Sequence, residues 1–466
     1  MNNYIKRVEK TGMKNKLFNK NFVLLWQGQL VSQLGSQAFH IGMIFWIKEV
    51  TGSASLLGIL LMVSTIPGIV LGPFGGTLSD RASRKKVIVL CDLINGIVVT
   101  SFALMVWFSV PEAALLVALF MVSVMVATAK AFFEPAVLSS IPNIVPKEKV
   151  EKANSLIQVS TQLAIFLGQG IGGVCFRILG APVLFLVDGI SYLVSAFSES
   201  FMVFAHEKSR AKVVLSKARK WKSFITETGD GFQYIWKNNG LRTVFLVITC
   251  ISFFLAPLVL FLPFFIEDDL KLSPDWYGYV MACFGAGAVL GYLGAGSVNF
   301  KGKTRQVAIS LAWLAMGILV VLLGVVNEIV LIMLFVFIIG LCNGFNYISI
   351  ITLIQFNTDE KMRGRVFGNL TTFTEGITPI SYGAAGIVLD MAQQNVRLMF
   401  IAVGAIMLLI VISASFNKHF RAFLSFVPKV PSEPVIPDKE EVVDPSELEL
   451  VNSEEFEIID VIKTNK

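Results

Sequence analysis

The stretch GGTLSDRASRKK, Gly75 to Lys86, sets one acid, Asp80, among Arg81, Arg84, Lys85 and Lys86, and it falls between two long apolar segments. A loop so short and so charged belongs at a membrane surface, where its cations stay hydrated while the flanking runs enter the lipid. The composition agrees: of 466 residues 55% are hydrophobic and 15% charged, with a mean hydropathy of +0.70, outside the usual range of soluble domains. Cys91, Cys175, Cys250, Cys283 and Cys342 are far apart, each inside an apolar run, and with three scattered histidines they offer no metal-ligand spacing. No GxxxxGK[ST] loop is present, which argues against ATP drive. No nucleophile, base and orienting group share a face, which argues against an enzyme. The net charge of +6 is explained by the loops and not by nucleic acid. No cofactor or metal is expected.

A bilayer core of about 30 Å needs roughly 20 apolar residues per helix. Runs of that size occur at about 21–47, 54–78, 86–108, 112–138, 153–178 and 182–205, and again at 240–266, 275–299, 305–325, 328–356, 365–390 and 396–416. The expected fold class is therefore an all-α membrane protein of twelve transmembrane helices in two six-helix bundles. Charge tests this count independently, because lysine and arginine gather on cytoplasmic loops. They cluster in the leader (Lys6, Arg7, Lys10, Lys14, Lys16, Lys20), in the quoted loop, at Lys147, Lys149 and Lys152, and from Lys208 to Lys237. They return at Lys301, Lys303 and Arg305, at Lys361, Arg363 and Arg365, and at Lys418 and Arg421. The loops between carry Glu112, Gly180 to Pro182, Glu267, Asp268 and Asp269, Glu328 and Asp390. Both termini are thus expected in the cytoplasm of a multi-pass bacterial inner-membrane protein. The chain divides into a basic leader (1–20), a first bundle (21–205), a central loop (206–239), a second bundle (240–417) and an acidic tail (418–466). Around Trp221 to Trp236 the central loop reads as a basic amphipathic helix suited to the anionic inner leaflet. After Pro428 eleven acids stand against four lysines with no apolar run, a composition that cannot bury a core.

The spacing Gly76, Asp80, Arg81, Arg84, Lys85 (GxxxDRxxRK) resembles the loop between the second and third helices of major facilitator transporters. GRVFG at Gly364–Gly368 and LVDGISYLVSA at Leu186–Ala196 resemble the macrolide-efflux and siderophore-exporter branch, and the likeness runs from about Phe22 to Asn417. GQGIGG at Gly168–Gly173 is similar to the antiporter motif GPxxGG, with Gln169 where that motif has proline. The resemblance implies a gate. Gly76 lets the second helix pack closely on the eleventh, Asp80 faces the positive end of the eleventh helix, and Arg81 and Arg84 grip nearby polar groups to hold the cytoplasmic side shut. A carboxylate at a helix N-terminus gains roughly 0.3–1 kcal/mol, enough to bias two states without locking either. The alternative is that these charges serve topology alone. An echo at Gly294–Arg305 supplies glycines and bases but no acid, so the clasp is one-sided.

Within the spans, Gln29, Gln33, Ser36 and His40 fall within about 60° on a helical wheel, and Gln158, Gln162 and Gln169 within about 40°. Both stripes are expected to face a central cavity, the alternative being hydrogen bonds that join helices. Glu375 lies near the middle of the eleventh span and Asp188 in the sixth, where an ionisable group is costly and needs a role. Glu375 is read either as a proton-carrying or cation-recognising group or as an acid paired for packing. Asp188 is a second proton-coupling candidate, or a residue that holds its helix to a neighbour. Lys130 and Glu134 stand four apart and can pair. The expected function is secondary active transport: proton-coupled efflux of a hydrophobic or amphipathic small molecule, macrolide-like or siderophore-like, by a monomer using alternating access. The alternative is a transporter-like receptor or scaffold acting through its acidic tail.

Overall fold

The computed structural model describes residues 17–79, 82–146, 149–203, 229–297 and 300–427, and the regular structure among them is helical. α1 (Lys20–Thr51) begins where the Asn19 side chain accepts from Phe22 N, and it ends at Gly52 in a left-handed conformation, φ 61°. α2 (Ala54–Ser79), α3 (Arg84–Trp107, capped by Ser83) and α4 (Glu112–Ile144) follow. The two spans expected at 153–178 and 182–205 form one continuous run, Val150–Ser200, that bends at Gly180, φ 74° and ψ 165°. One glycine makes the turn because no Cβ opposes that backbone conformation. The limbs on either side are α5 (150–179) and α6 (181–200).

The second half begins with α7 (Asn239–Asp269), interrupted after Leu255 and closed by a π-helical turn, Phe265–Asp269. α8 (Asp275–Ser297), α9 (Gly302–Leu323), α10 (Ile329–Phe356), α11 (Glu360–Met391), α12 (Val396–Phe416) and the short α13 (Lys418–Leu424) complete it. By length and hydropathy nine segments of the described residues are fit to cross a membrane, the bent Val150–Ser200 among them. Counting its limbs separately and adding α1 and α11 gives twelve. Those two fall short of the apolar criterion because they carry polar groups that protein, not lipid, must accommodate: Gln27, Gln29, Gln33, Gln37 and His40 in α1, and Arg363, Arg365, Asn369 and Glu375 in α11.

In the first half α1 lies against α5 and α6, α3 against α6, and α2 against α4; in the second α8 lies against α10 and α9 against α12. The α8–α10 seam is built on Gly287 and Gly291 facing Gly340 and Gly344, each so close to the opposite backbone that a Cβ would collide with it. Small residues four apart on both helices permit this approach, and dispersion between backbones then holds the pair where lipid offers no hydrophobic drive. Two seams join the halves, α2 with α11 and α5 with α8.

Packed helix also lies outside the two expected bundles. Trp221 and the rest of 204–228 lie outside the described residues, but 229–237 is helical and docks on the start of α11. Asp230 pairs with Arg365 at 3.1 Å, Tyr234 OH donates to Asp359 at 3.2 Å, Phe232 stacks on Phe373 at 5.8 Å, and Ile235 is buried. At the other end the bundle continues past residue 417, because Phe420, Phe423 and Leu424 of α13 are buried and Phe420 stacks on Trp313 at 5.9 Å. The acidic tail from 428 onward lies outside the described residues.

Candidate transport site and its gates

At one end the two halves are joined by charge. Lys48, at the end of α1 and 8% exposed, reaches Glu267 at 2.6 Å and Asp268 at 3.0 Å in the last turn of α7. Its ammonium also lies 5.3 Å from the centre of the Phe264 ring. Arg177 of α5 pairs with Asp275 of α8 at 2.9 Å. Asp390, at the end of α11, accepts from Ala54 N (3.0 Å), Ser55 N (2.8 Å) and Ser53 Oγ (2.8 Å), so an acid of the second half caps the positive end of α2 in the first. Gln394 donates to the carbonyl of Gly52 beside it.

The two seams run from this closed end and part toward the opposite one. On α2, Ala54 meets Gly386 of α11, and Gly58 meets both Gly386 and the carbonyl of Tyr382. Gly72 lies eighteen residues after Ala54, and Gly368 eighteen before Gly386. That is five full turns, so each lies in line with its seam partner about 27 Å further in. Neither has any atom within 4 Å of where a Cβ would stand. α8 repeats the pattern: Gly278 touches the backbone of Gly170 and Gly285 touches Phe166, but Gly296, again five turns on from Gly278, faces open space. The halves are shut at the end of Lys48 and Asp390 and parted at the end of Gly72, Gly368 and Gly296.

Of the expected gate, Gly76 falls in the last turn of α2, while Asp80 and Arg81 lie outside the described residues. Arg84 donates to the carbonyl of Ser139 in α4 at 2.7 Å, a grip within its own half, and Lys85 is half-buried at the start of α3. On α1, Gln29 is buried, Gln33 is half-buried with its Oε1 unpartnered, and His40 lies within the field of the Lys130 ammonium on α4. Ser36 is turned toward α6, with its hydroxyl 2.8 Å from Tyr192 OH and 3.4 Å from Asp188 Oδ1. Asp188 itself is buried between α1 and α6.

α5 divides into four faces. Ser160, Ala164, Gly168 and Gly172 are on the side of α1, where Gly168 and Gly172 touch Gln37 and Ile41; Phe166, Gly170 and Gly173 meet α8; Leu163, Leu167 and Ile171 are exposed and apolar. Gln158, Gln162 and Gln169 occupy the remaining face, opposite the apolar one, with Gln158 and Gln162 exposed. Lys130 and Glu134 form the expected pair at 3.5 Å, yet they are 70% and 61% exposed. They share a face of α4 with Ser123, which meets Met43 of α1, so the pair faces the α1 side. Glu375 is exposed halfway along α11, on the face of Tyr382 and Gly386 and about 10 Å further in than Tyr382, where the α2 seam has already parted.

Sequence reasoning missed Lys48, Arg177, Asp275 and the capping role of Asp390. Glu267 to Asp269 and Asp390 register in the sequence only as outer-loop acids. It also passed over Asp92 in α3 and Glu199 in α6, both buried and both legible as acids inside apolar runs.

Twelve helical limbs in two sets of six, joined by two seams that part on one side, define a two-bundle membrane transporter, not an enzyme. The chain belongs to the Major Facilitator Superfamily, whose family model matches residues 25–381 and 260–452. It is 24% identical over 310 residues to macrolide efflux protein A of Streptococcus pyogenes, covering 66% of this chain and 73% of that one. It is 24% identical over 416 residues to the multidrug efflux pump Tap of Mycolicibacterium fortuitum, covering 86% and 96%. Among solved structures it resembles the nucleoside transporter NupG (TM-score 0.64, 12% identity, covering 87% of this chain and 100% of that one). It likewise resembles a bacterial homologue of the iron transporter ferroportin in an inward-facing state (TM-score 0.63, 15% identity, 86% and 100%).

Proposed function

We propose that this protein exports a hydrophobic or amphipathic small molecule, macrolide-like or siderophore-like, from a bacterial cell in exchange for protons. It works by alternating access as a monomer with both termini in the cytoplasm. The observation that carries the reading is Glu375, an acid halfway along a membrane helix, exposed at the point where the α2–α11 seam parts. A bare carboxylate is tolerated in a water-filled opening. When α2 closes over it the penalty is about 2.5–3.5 kcal/mol, roughly two orders of magnitude in the closing equilibrium. A proton or a cationic solute removes that penalty. Each can therefore license closure in turn, which is the logic of exchange.

Substrate enters from the cytoplasm between the halves. Gln29, Gln33, His40, Gln158, Gln162 and Gln169 offer hydrogen bonds, and the Lys130–Glu134 pair offers either charge to a polar end. Ser36 and Asp188 sit behind this surface and hold α1 to α6. As the inner side closes, Gly72 and Gly368 come together, and Gly76, Asp80, Arg81, Arg84 and Lys85 form the clasp beneath them. The outer ion pairs then release. Names of relatives support the substrate class: macrolide efflux and multidrug efflux. The test is a drug-hypersusceptible bacterial strain carrying this gene, scored for growth on a panel of macrolides, cationic dyes and siderophores. Raised tolerance to at least one amphipathic compound, with lower accumulation in the cells, is the expected result. Unchanged accumulation across the panel would refute export.

A further inference from the structure

Buried between the last turns of α6 and the first half of α3, away from the cavity, two carboxyl groups face each other. Asp92 of α3 is 2% exposed and Glu199 of α6 is 0% exposed, and they lie within hydrogen-bonding reach of one another. Asp92 Oδ2 and both oxygens of Glu199 accept no hydrogen bond from any donor among the described residues, and neither acid forms an ion pair there. The walls are tight. Gly28 of α1 covers the site so closely that an added methyl would stand 2.9 Å from Ser195 Oγ and 3.4 Å from Glu199 Oε1. Asn95, one turn along α3 from Asp92, is buried with its Oδ1 unpartnered.

Ionised carboxylates only accept hydrogen bonds. Two of them buried together in a membrane repel each other and have lost their water as well. Among the described residues no cation pairs with either acid: α1 presents Gly28 and Ser32, α3 adds Cys91 and Asn95, α6 adds Asp188, Tyr192 and Ser195, and on α4, which also packs on α3, Lys130 and Glu134 pair with each other. Among the described residues no group of three or more acids, histidines and cysteines is arranged to hold a metal. We propose that Asp92 and Glu199 form a proton-binding site inside the first half, in which one carboxyl donates a shared proton to the other and ties α3 to α6 beneath Gly28. The site is separate from Glu375 in the second half and does not depend on what is exported. It binds a proton whether or not efflux is the function.

The test is infrared spectroscopy of the full-length protein in lipid nanodiscs at neutral pH. The wild type should show the C=O stretch of protonated carboxyl groups, shifted down in D2O. Asp92→Asn and Glu199→Gln should each lose one carboxyl's share of that band and elute as folded, monodisperse protein, because the new amide donates the hydrogen bond the proton had supplied. An undiminished band in either folded variant would overturn the site. Failure of both amide variants to fold would overturn it too, since a shared proton is the interaction an amide reproduces.

Discussion

Replacing Lys48 by methionine removes the cation that joins α1 to the end of α7 while keeping a side chain of similar length. In the shut outer end Lys48 is 8% exposed, Glu267 18% and Asp268 52%. Losing one partner of a fully buried pair costs about 3–5 kcal/mol, and losing one at the surface about 0–1 kcal/mol. This pair sits between, at about 2 kcal/mol. Once the outer side opens all three groups are hydrated, so the whole difference acts on the equilibrium between the two states. At about 1.4 kcal/mol per tenfold, Lys48→Met should shift it roughly 30-fold away from the inward-open arrangement. Ser155 on α5 and Ser297 on α8 are exposed near the inner ends of one seam. Spin labels there, in a background freed of the five native cysteines, report the opening by pulsed electron resonance. The wild type should show mainly the long distance, and Lys48→Met a large short-distance population. A distance distribution unchanged by Lys48→Met would refute the idea that this pair holds the outer side shut.

Asp390→Asn weakens the cap on α2 and should favour outer opening by about 1 kcal/mol, a smaller shift in the same labelled pair. Gly368→Leu meets open space in the inward-open state, so the variant should fold and still bind substrate from the cytoplasmic side. It should lose transport, because the added side chain blocks the inner seam; wild-type turnover would contradict that. Asp80→Asn should lower turnover at unchanged expression by loosening the inner clasp, and unchanged transport would remove the clasp from the mechanism.

Much of the fold was legible because lipid reduces it to length and charge. The alternation of lysine and arginine with Glu112, Glu267 to Asp269 and Asp390 is enough to order the spans. The α5–α6 junction was legible only in part: Gly180 and Pro182 mark a turn, but φ 74° at one glycine with helix on both sides is a backbone fact with no periodic signature. The boundary near residue 417 was hidden because Lys418, His419 and Arg421 make α13 look like a soluble tail, while Phe420 and Phe423 bury its other side.

At the site, local pairs could be read and distant ones could not. Lys130 and Glu134 are one turn apart, so their pairing follows from helix geometry. Their exposure follows from the opening between the halves, which no local spacing encodes. Lys48 and Glu267 are 219 residues apart, and Asp390 is 336 from Ala54; only the closed outer seam brings them together. Ser36 and Asp188 lie on faces a wheel could align but not assign, since the wheel does not say which neighbour a face meets.

Proton exchange through Glu375 is tested most directly with the purified protein in liposomes, an imposed pH gradient and a fluorescent amphipathic cation outside. An acidic interior should drive uptake by the wild type through inward-open molecules facing the bath, and Glu375→Gln should bind the dye but show no dependence on the gradient. Equal, gradient-driven uptake by both proteins would contradict the assignment.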